Sequence, residues 1–153
     1  MIYAISGIRD IHPSDECIVE LEIAELLSSD VDNQIEALVF GGARGVDTTA
    51  LAAACIARGC NSTPKLIVIV PSHVQDQPYA AQEYIQECAD EIVELHLPVG
   101  RASSYQQRNI AMLERADALL AFWDGSSGGT NNAITAARRL GIPVSVVTVR
   151  RKI

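Results

Sequence analysis

The stretch Ala37-Leu38-Val39-Phe40-Gly41-Gly42-Ala43-Arg44-Gly45-Val46-Asp47-Thr48-Thr49-Ala50-Leu51-Ala52-Ala53-Ala54-Cys55-Ile56-Ala57-Arg58-Gly59 holds an apolar run, a glycine-rich turn and a helical pattern in succession. The apolar run has no polar alternation. As a strand it would be covered on both faces, which is the habit of a parallel sheet between helix layers. Three glycines in five positions then turn the chain. The helix expected from about Asp47 is mostly alanine in its middle, suiting it to pack closely on a sheet, and Gly59 is placed as its C-terminal cap.

The same unit recurs along the chain. Five further apolar runs read as strands: Ile2 to Ser6, Leu66 to Val70, Glu91 to Leu95, Ala118 to Trp123 and Val144 to Val149. Between them the spacing predicts helices over about Ser14 to Ser28, Ala80 to Ala89, Ser104 to Arg115 and Thr130 to Leu140. In the first, Val19, Ile23, Leu26 and Leu27 make an i, i+4, i+7, i+8 stripe. Ser104 and Gln107 have the spacing of a capping box, and Gly141 followed by Pro143 stops the last helix. Strict strand-helix alternation predicts an α/β, Rossmann-like, doubly wound sheet of about six mostly parallel strands with helices on both faces. A closed barrel would need eight repeats.

Composition agrees with one domain. The chain has 153 residues, 48% hydrophobic and 20% charged, with 12 basic against 19 acidic side chains for a net charge of -7. A chain of this length buries roughly 70% of its unfolded surface, so a core forms without metal or disulfide staples. Cys17, Cys55, Cys60 and Cys88 form no CxxC pair and read as reduced core thiols, implying a cytoplasmic compartment. No basic leader and no apolar run near ~18 residues is present, so neither secretion nor a membrane partner is expected. The acidity argues against wholesale coating of nucleic acid. It is uneven, however: from Gly125 onward there are five basic residues and no acid, leaving -12 for the rest.

In doubly wound sheets ligands sit beyond the carboxyl ends of the strands, so the loops there carry the search. After the first strand come Gly7 and Arg9. After the second come Gly41, Gly42, Ala43, Arg44, Gly45, Asp47 and Thr48, a turn whose helix aims amide groups at any anion bound there. The bland alternative is a plain turn with Asp47 as N-cap. After the fifth come Asp124, Gly125, Ser126, Ser127, Gly128, Gly129 and Thr130, glycines and hydroxyls at another helix start, with no acid in its own first turn. Arg108 and Asn109 lie in the fourth helix; Arg101 stands before it. Convergence of Arg9, Arg44, Arg101 and Arg108 would make a basic pocket suited to phosphate. Neither GxGxxG nor the P-loop pattern is present. His12, His73 and His96 show no metal-ligand spacing, and no Gly-x-Ser-x-Gly elbow occurs. Trp123 reads as core more than as a base-stacking group.

Ser6-Gly7-Ile8-Arg9, Gly41-Gly42-Ala43-Arg44-Gly45-Val46-Asp47, Arg108-Asn109, Phe122-Trp123-Asp124-Gly125 and Ser127-Gly128-Gly129-Thr130 together resemble the SLOG superfamily, closest to small stand-alone relatives of the Smf/DprA DNA-processing family. The resemblance implies a Rossmann-like fold, often self-associating into homo-oligomers, that binds nucleotides, nucleotide-derived signals or nucleic acid at these loops. The phosphoribohydrolase (LOG, lysine decarboxylase-like) branch carries a catalytic glutamate three residues after the threonine of its Gly-Gly-x-Gly-Thr motif. Ala133 stands there in this chain. The expectation is therefore a binding module for a nucleotide or other phosphate-bearing small molecule, with no cofactor or metal required. Asn109 and the loop hydroxyls would read ribose or base edges. The alternatives are a nucleoside monophosphate N-glycosidase drawing a carboxylate from Asp10, Asp47 or Asp124, and single-stranded DNA binding.

Overall fold

A computed structural model describes residues 1–153. Six strands form one sheet: β1 (Ile2–Gly7), β2 (Ala37–Phe40), β3 (Lys65–Val70), β4 (Glu91–Glu94), β5 (Ala118–Trp123) and β6 (Val144–Thr148). Their order is β4-β3-β2-β1-β5-β6, and every pairing is parallel. The helices are α1 (Glu16–Ser28), α2 (Val46–Arg58), α3 (Tyr79–Cys88), α4 (Ala102–Glu114) and α5 (Gly128–Arg139).

Two cores follow from the pleat, which turns successive side chains to opposite faces. Ile5, Leu38, Phe40, Val68 and Phe122 pack with Val19, Ile23, Leu51 and Ile85 of α1, α2 and α3. Ala4, Val39, Ile67, Leu119 and Ala121 pack with Met112, Leu113 and Ile134 of α4 and α5. Right-handed crossovers explain the division: the chain winds outward from β1 to β4 under one helix layer and returns through α4 on the other. The reversal falls between β1 and β5, so the loops after these neighbours diverge and leave a crevice.

Several local expectations are corrected. A 3-10 turn at Pro13–Asp15 precedes α1. The Ser104/Gln107 capping box does not form: α4 starts earlier, Arg101 is its N-cap, and the Ser104 hydroxyl donates to Pro98 O at 2.6 Å. Asp47 is not an N-cap either; Gly45 holds that place. Of the cysteines, Cys17 and Cys60 are exposed rather than core. Cys88 is buried, and desolvation with Cys55 alongside pushes its thiol up to about 12. Trp123 braces the loop after β5, donating from Nε1 to Ser127 O at 3.0 Å. No helix is long and apolar enough to cross a membrane.

The end of the chain folds back over the loop after β1. Ile11 and Arg151 form an antiparallel bridge; the His12 amide donates to Arg150 O at 2.9 Å and the Lys152 amide to Asp10 O at 2.7 Å. Asp15, almost fully buried, takes the Arg150 guanidinium in a two-pronged pair, with Nη2 at 2.7 Å. It also accepts the Arg150 amide at 2.7 Å. These bonds to the guanidinium and the amide hold the Asp15 carboxyl down at about 2, from 3.8.

Two predictions follow from this packing. A Cβ at Gly7 would lie 2.3 Å from the Val46 side chain, which is fully buried, whereas one at Gly129 meets no atom within 4 Å. Gly7→Ala should therefore cost about 1–3 kcal/mol in a urea melt, and Gly129→Ala less than about 0.5 kcal/mol. The depressed Asp15 carboxyl gives stability that is complete above pH ~4 and lost as pH falls toward 2. Asp15→Asn should lower the melting temperature at pH 7 and remove this part of the acid limb, which acid titrations followed by circular dichroism would read.

Candidate functional site

The crevice between the ends of β1 and β5 holds a cavity of about 570 Å³, within the usual range for small ligands. Its walls come from the loop after β1, the start of α5, one face of α4, and Ala43 and Asp47 beside β2. Of the residues expected at a site, Gly7, Arg9, Ala43, Asp47, Arg108, Asn109, Ser126, Ser127, Gly128, Gly129 and Thr130 meet here.

The start of α5 turns partnerless backbone amides toward the cavity. The first helical bond runs from the Asn131 amide to Ser127 O at 3.1 Å, so the amides of Gly128, Gly129 and Thr130 precede it and have no partner inside the helix. With no Cβ on either glycine, nothing shields them. Such a terminus carries about half a positive charge. Asp124 does not occupy it. Burial would raise the Asp124 carboxyl, but the amides and hydroxyls of Ser126 and Ser127, at 2.8–3.3 Å, together hold it below its ordinary value. Asp124 is thus turned into its own loop, and neither it nor Gly125 lines the cavity.

Arg108 is only 6% exposed. Its Nη1 donates to Gly41 O and its Nε to Asn109 Oδ1 at 3.1 Å. Asn109 Nδ2 in turn faces Gly129 O at 3.4 Å and Asn132 Oδ1 at 3.3 Å. The Asn109 amide thus has protein partners at both ends, Arg108 within α4 and Gly129 and Asn132 on α5, while the residue also lines the cavity. Asp47 is equally buried and accepts the Ala43 amide on Oδ2 at 3.1 Å. Burial raises its carboxyl, with Arg108, the Ala43 amide and Arg9 opposing; burial likewise lowers the Arg108 guanidinium, with Asp47 opposing. Arg9 and Arg108 do converge, on Tyr105: their guanidinium carbons stand 4.3 and 5.9 Å from its ring centre.

The glycine loop after β2 plays a different part from a phosphate cradle. Gly41, Gly42, Arg44, Gly45 and Thr48 do not line the cavity. A Cβ at Gly41 would strike Arg108 Nη1 at 2.6 Å, and one at Gly45, where φ is +78°, would strike Arg9 O at 2.2 Å. The Val46 amide is taken by Ile8 O at 3.1 Å, and the Thr48 hydroxyl by Ala43 O at 2.8 Å. These glycines admit neighbouring protein rather than a ligand. Arg44 pairs with Asp10 at 3.1 Å and borders a second cavity of about 310 Å³, which shares Arg9, Ala43 and Tyr105 with the first. Arg101 lines neither.

Ala102, Tyr105, Gln106, Asn132 and Arg151 line the cavity without having been singled out in the sequence, while Ser6 and Ile8 were expected only as part of the first motif and Asp10 only as a carboxylate for the hydrolase alternative. Ala102, Tyr105, Gln106 and Asn109 have the i, i+3, i+4, i+7 spacing of one helix face, a signal present in the sequence. Arg151 had none beyond the basic, acid-free tail. His73 and His96 meet outside the cavity at 2.9 Å, with Asp76 3.4 Å from His73. No group of three or more His, Cys, Asp or Glu side chains is placed to hold a metal ion.

The charge on Asp47 is a stability cost. Its raised carboxyl means that the wild type loses stability as pH rises from its unfolded value, near 4, to its folded one. Asp47→Asn, with its amide oxygen kept on the Ala43 N–H, should melt higher than wild type at pH 7, and the difference should vanish below about pH 3.5. Calorimetric scans across that range check it.

No family profile and no curated protein matches the sequence. Similar solved structures do exist. DNA processing protein A from Helicobacter pylori, described for its single-stranded DNA binding mode, is matched over 95% of this chain at 24% identity and a TM-score of 0.71. DprA from Streptococcus pneumoniae is matched over 94% at 22% identity, also with a TM-score of 0.71. The chain spans 64% and 49% of the length of those two proteins. The Moco carrier protein of Chlamydomonas rheinhardtii is matched over 96% of this chain and 76% of its own, at 16% identity and a TM-score of 0.60. What the chain shares with them at these identities is the Rossmann-like α/β fold that its resemblance to the SLOG superfamily implied.

Proposed function

We propose that the protein binds a nucleotide or nucleotide-derived, phosphate-bearing ligand in the crevice between β1 and β5. One observation carries the reading: the unengaged amides at the start of α5 open on the same cavity as the buried Arg108. A phosphoryl group would take its hydrogen bonds from Gly128, Gly129 and Thr130 and its charge balance from Arg108 and Arg9. The hydroxyls of Ser6 and Thr130 and the ring of Tyr105 remain for sugar and base.

A second reading has support from Asp47. It is a buried carboxyl in the cavity wall whose raised affinity for protons suits general acid work. Asp10 is paired with Arg44 and Asp124 is bonded to its own loop, and Ala133 lies on the buried face of α5, packed into the core. Asp47 is therefore the carboxylate an N-glycosidase would use here. The neighbours named for DNA processing favour single-stranded DNA as a further candidate ligand.

One set of measurements separates these readings. Calorimetric titration with nucleoside mono- and diphosphates should give dissociation constants below millimolar. Arg108→Ala should weaken them about tenfold or more. Gly129→Asp, which sets a carboxylate at the helix start without a clash, should weaken them without lowering the melting temperature. Absence of binding across the panel would sink the proposal. Release of free base from a nucleoside monophosphate, abolished in Asp47→Asn, would favour the hydrolase. Binding to single strands that falls steeply with salt would favour DNA.

A further inference from the structure

The cavity holds more cationic capacity than a single phosphoryl group needs, and the surplus lies at its rim. Arg108 stands deep and is opposed by Asp47, while Asp10 is satisfied by Arg44. Besides Arg108, which has the Asp47 carboxyl nearby, two arginines line the cavity and make no ion pair: Arg9, laid over Tyr105, and Arg151, exposed at the end of the chain. Arg151 owes its place to a dedicated fastening. Asp15, buried beneath the tail, holds Arg150 by guanidinium and amide, while residues 10–12 pair with residues 150–152 through backbone bonds. A buried carboxylate on Arg150 and two backbone hydrogen bonds, at Arg150 O and Lys152 N, fix the chain on either side of Arg151, so its side chain starts from a defined point on the rim.

We infer that the site takes a ligand with two linked phosphoryl groups, the inner one at the start of α5 beside Arg108 and the outer one between Arg9 and Arg151. This rests on the phosphate-binding reading of the crevice and names the class of ligand within it: a nucleoside diphosphate or a diphosphate-linked nucleotide in preference to a monophosphate. Arg151 is a binding residue for the outer group. Asp15 is a positioning residue that acts through Arg150.

The test compares the ribonucleoside 5′-monophosphates with the matching 5′-diphosphates by calorimetry on the full chain, with inorganic pyrophosphate as a probe lacking a base. Wild type is expected to bind a diphosphate at least about tenfold more tightly than its monophosphate. Arg151→Ala, which removes an exposed side chain without an ion pair, should abolish most of that preference while leaving the monophosphate constant within about twofold. Arg151→Lys should keep part of the preference, and Asp15→Asn, assayed well below its melting temperature, should reduce it in the same direction. Equal wild-type affinity for the two classes overturns the inference, as does an Arg151→Ala variant whose preference is unchanged or whose affinities fall equally. If monophosphate binding persists and depends on Arg108 while Arg151 proves indifferent, only this inference fails. If wild type binds none of the probes, the phosphate-binding reading falls and takes this inference with it.

Discussion

The buried guanidinium of Arg108 is the interaction on which the crevice depends. It reaches from α4 to the carbonyl of Gly41 at the end of β2, and its Nε fixes the Asn109 amide, which in turn meets Gly129 and Asn132 of α5. Through the amide it fixes, this side chain ties the end of β2 to the two helices that bound the cavity. The arrangement is costly in isolation, because a desolvated cation needs compensation. Asp47 provides part of it, at the price of being a desolvated carboxylate that resists ionisation. The two groups stand at the wall of a polar cavity without a direct ion pair between them.

The glycines divide into two physical roles. Gly7, Gly41 and Gly45 let protein approach protein: a methyl group at any of them would collide with Val46, Arg108 or the Arg9 carbonyl. They bring the loops after β1 and β2 into contact and so set the depth of the crevice. Gly128 and Gly129 face open space and leave amide groups bare. Only the second leaves backbone groups open to the cavity, and both look alike as glycine-rich turns before helices.

Most of the fold was legible in the sequence. The apolar runs lie within a residue of the strands at every end, because strands covered on both faces need continuous apolar side chains. The helix starts were less legible. Ser104 carries cap chemistry, yet the Arg101 backbone begins the helix and Ser104 is used to hold Pro98. The cavity lining was legible in part: Arg9, Arg108, Asn109 and the α5 start lie on it, whereas Gly41, Gly42, Arg44 and Gly45 do not. Tyr105 was overlooked although it shares a helix face with the cavity residues around it.

The sequence by itself determined the order of elements, the parallel sheet and the loops that border the crevice, since periodicity, glycine stops and crossover handedness act over short stretches of chain. Only the tertiary structure decided which glycine turn stays open, which arginines converge and where the last residues go. Those outcomes rest on contacts between segments far apart in the chain, such as Asp15 with Arg150 or Gly41 with Arg108. No local pattern encodes them, because each depends on which pair of buried polar groups compensates the other once the core has closed.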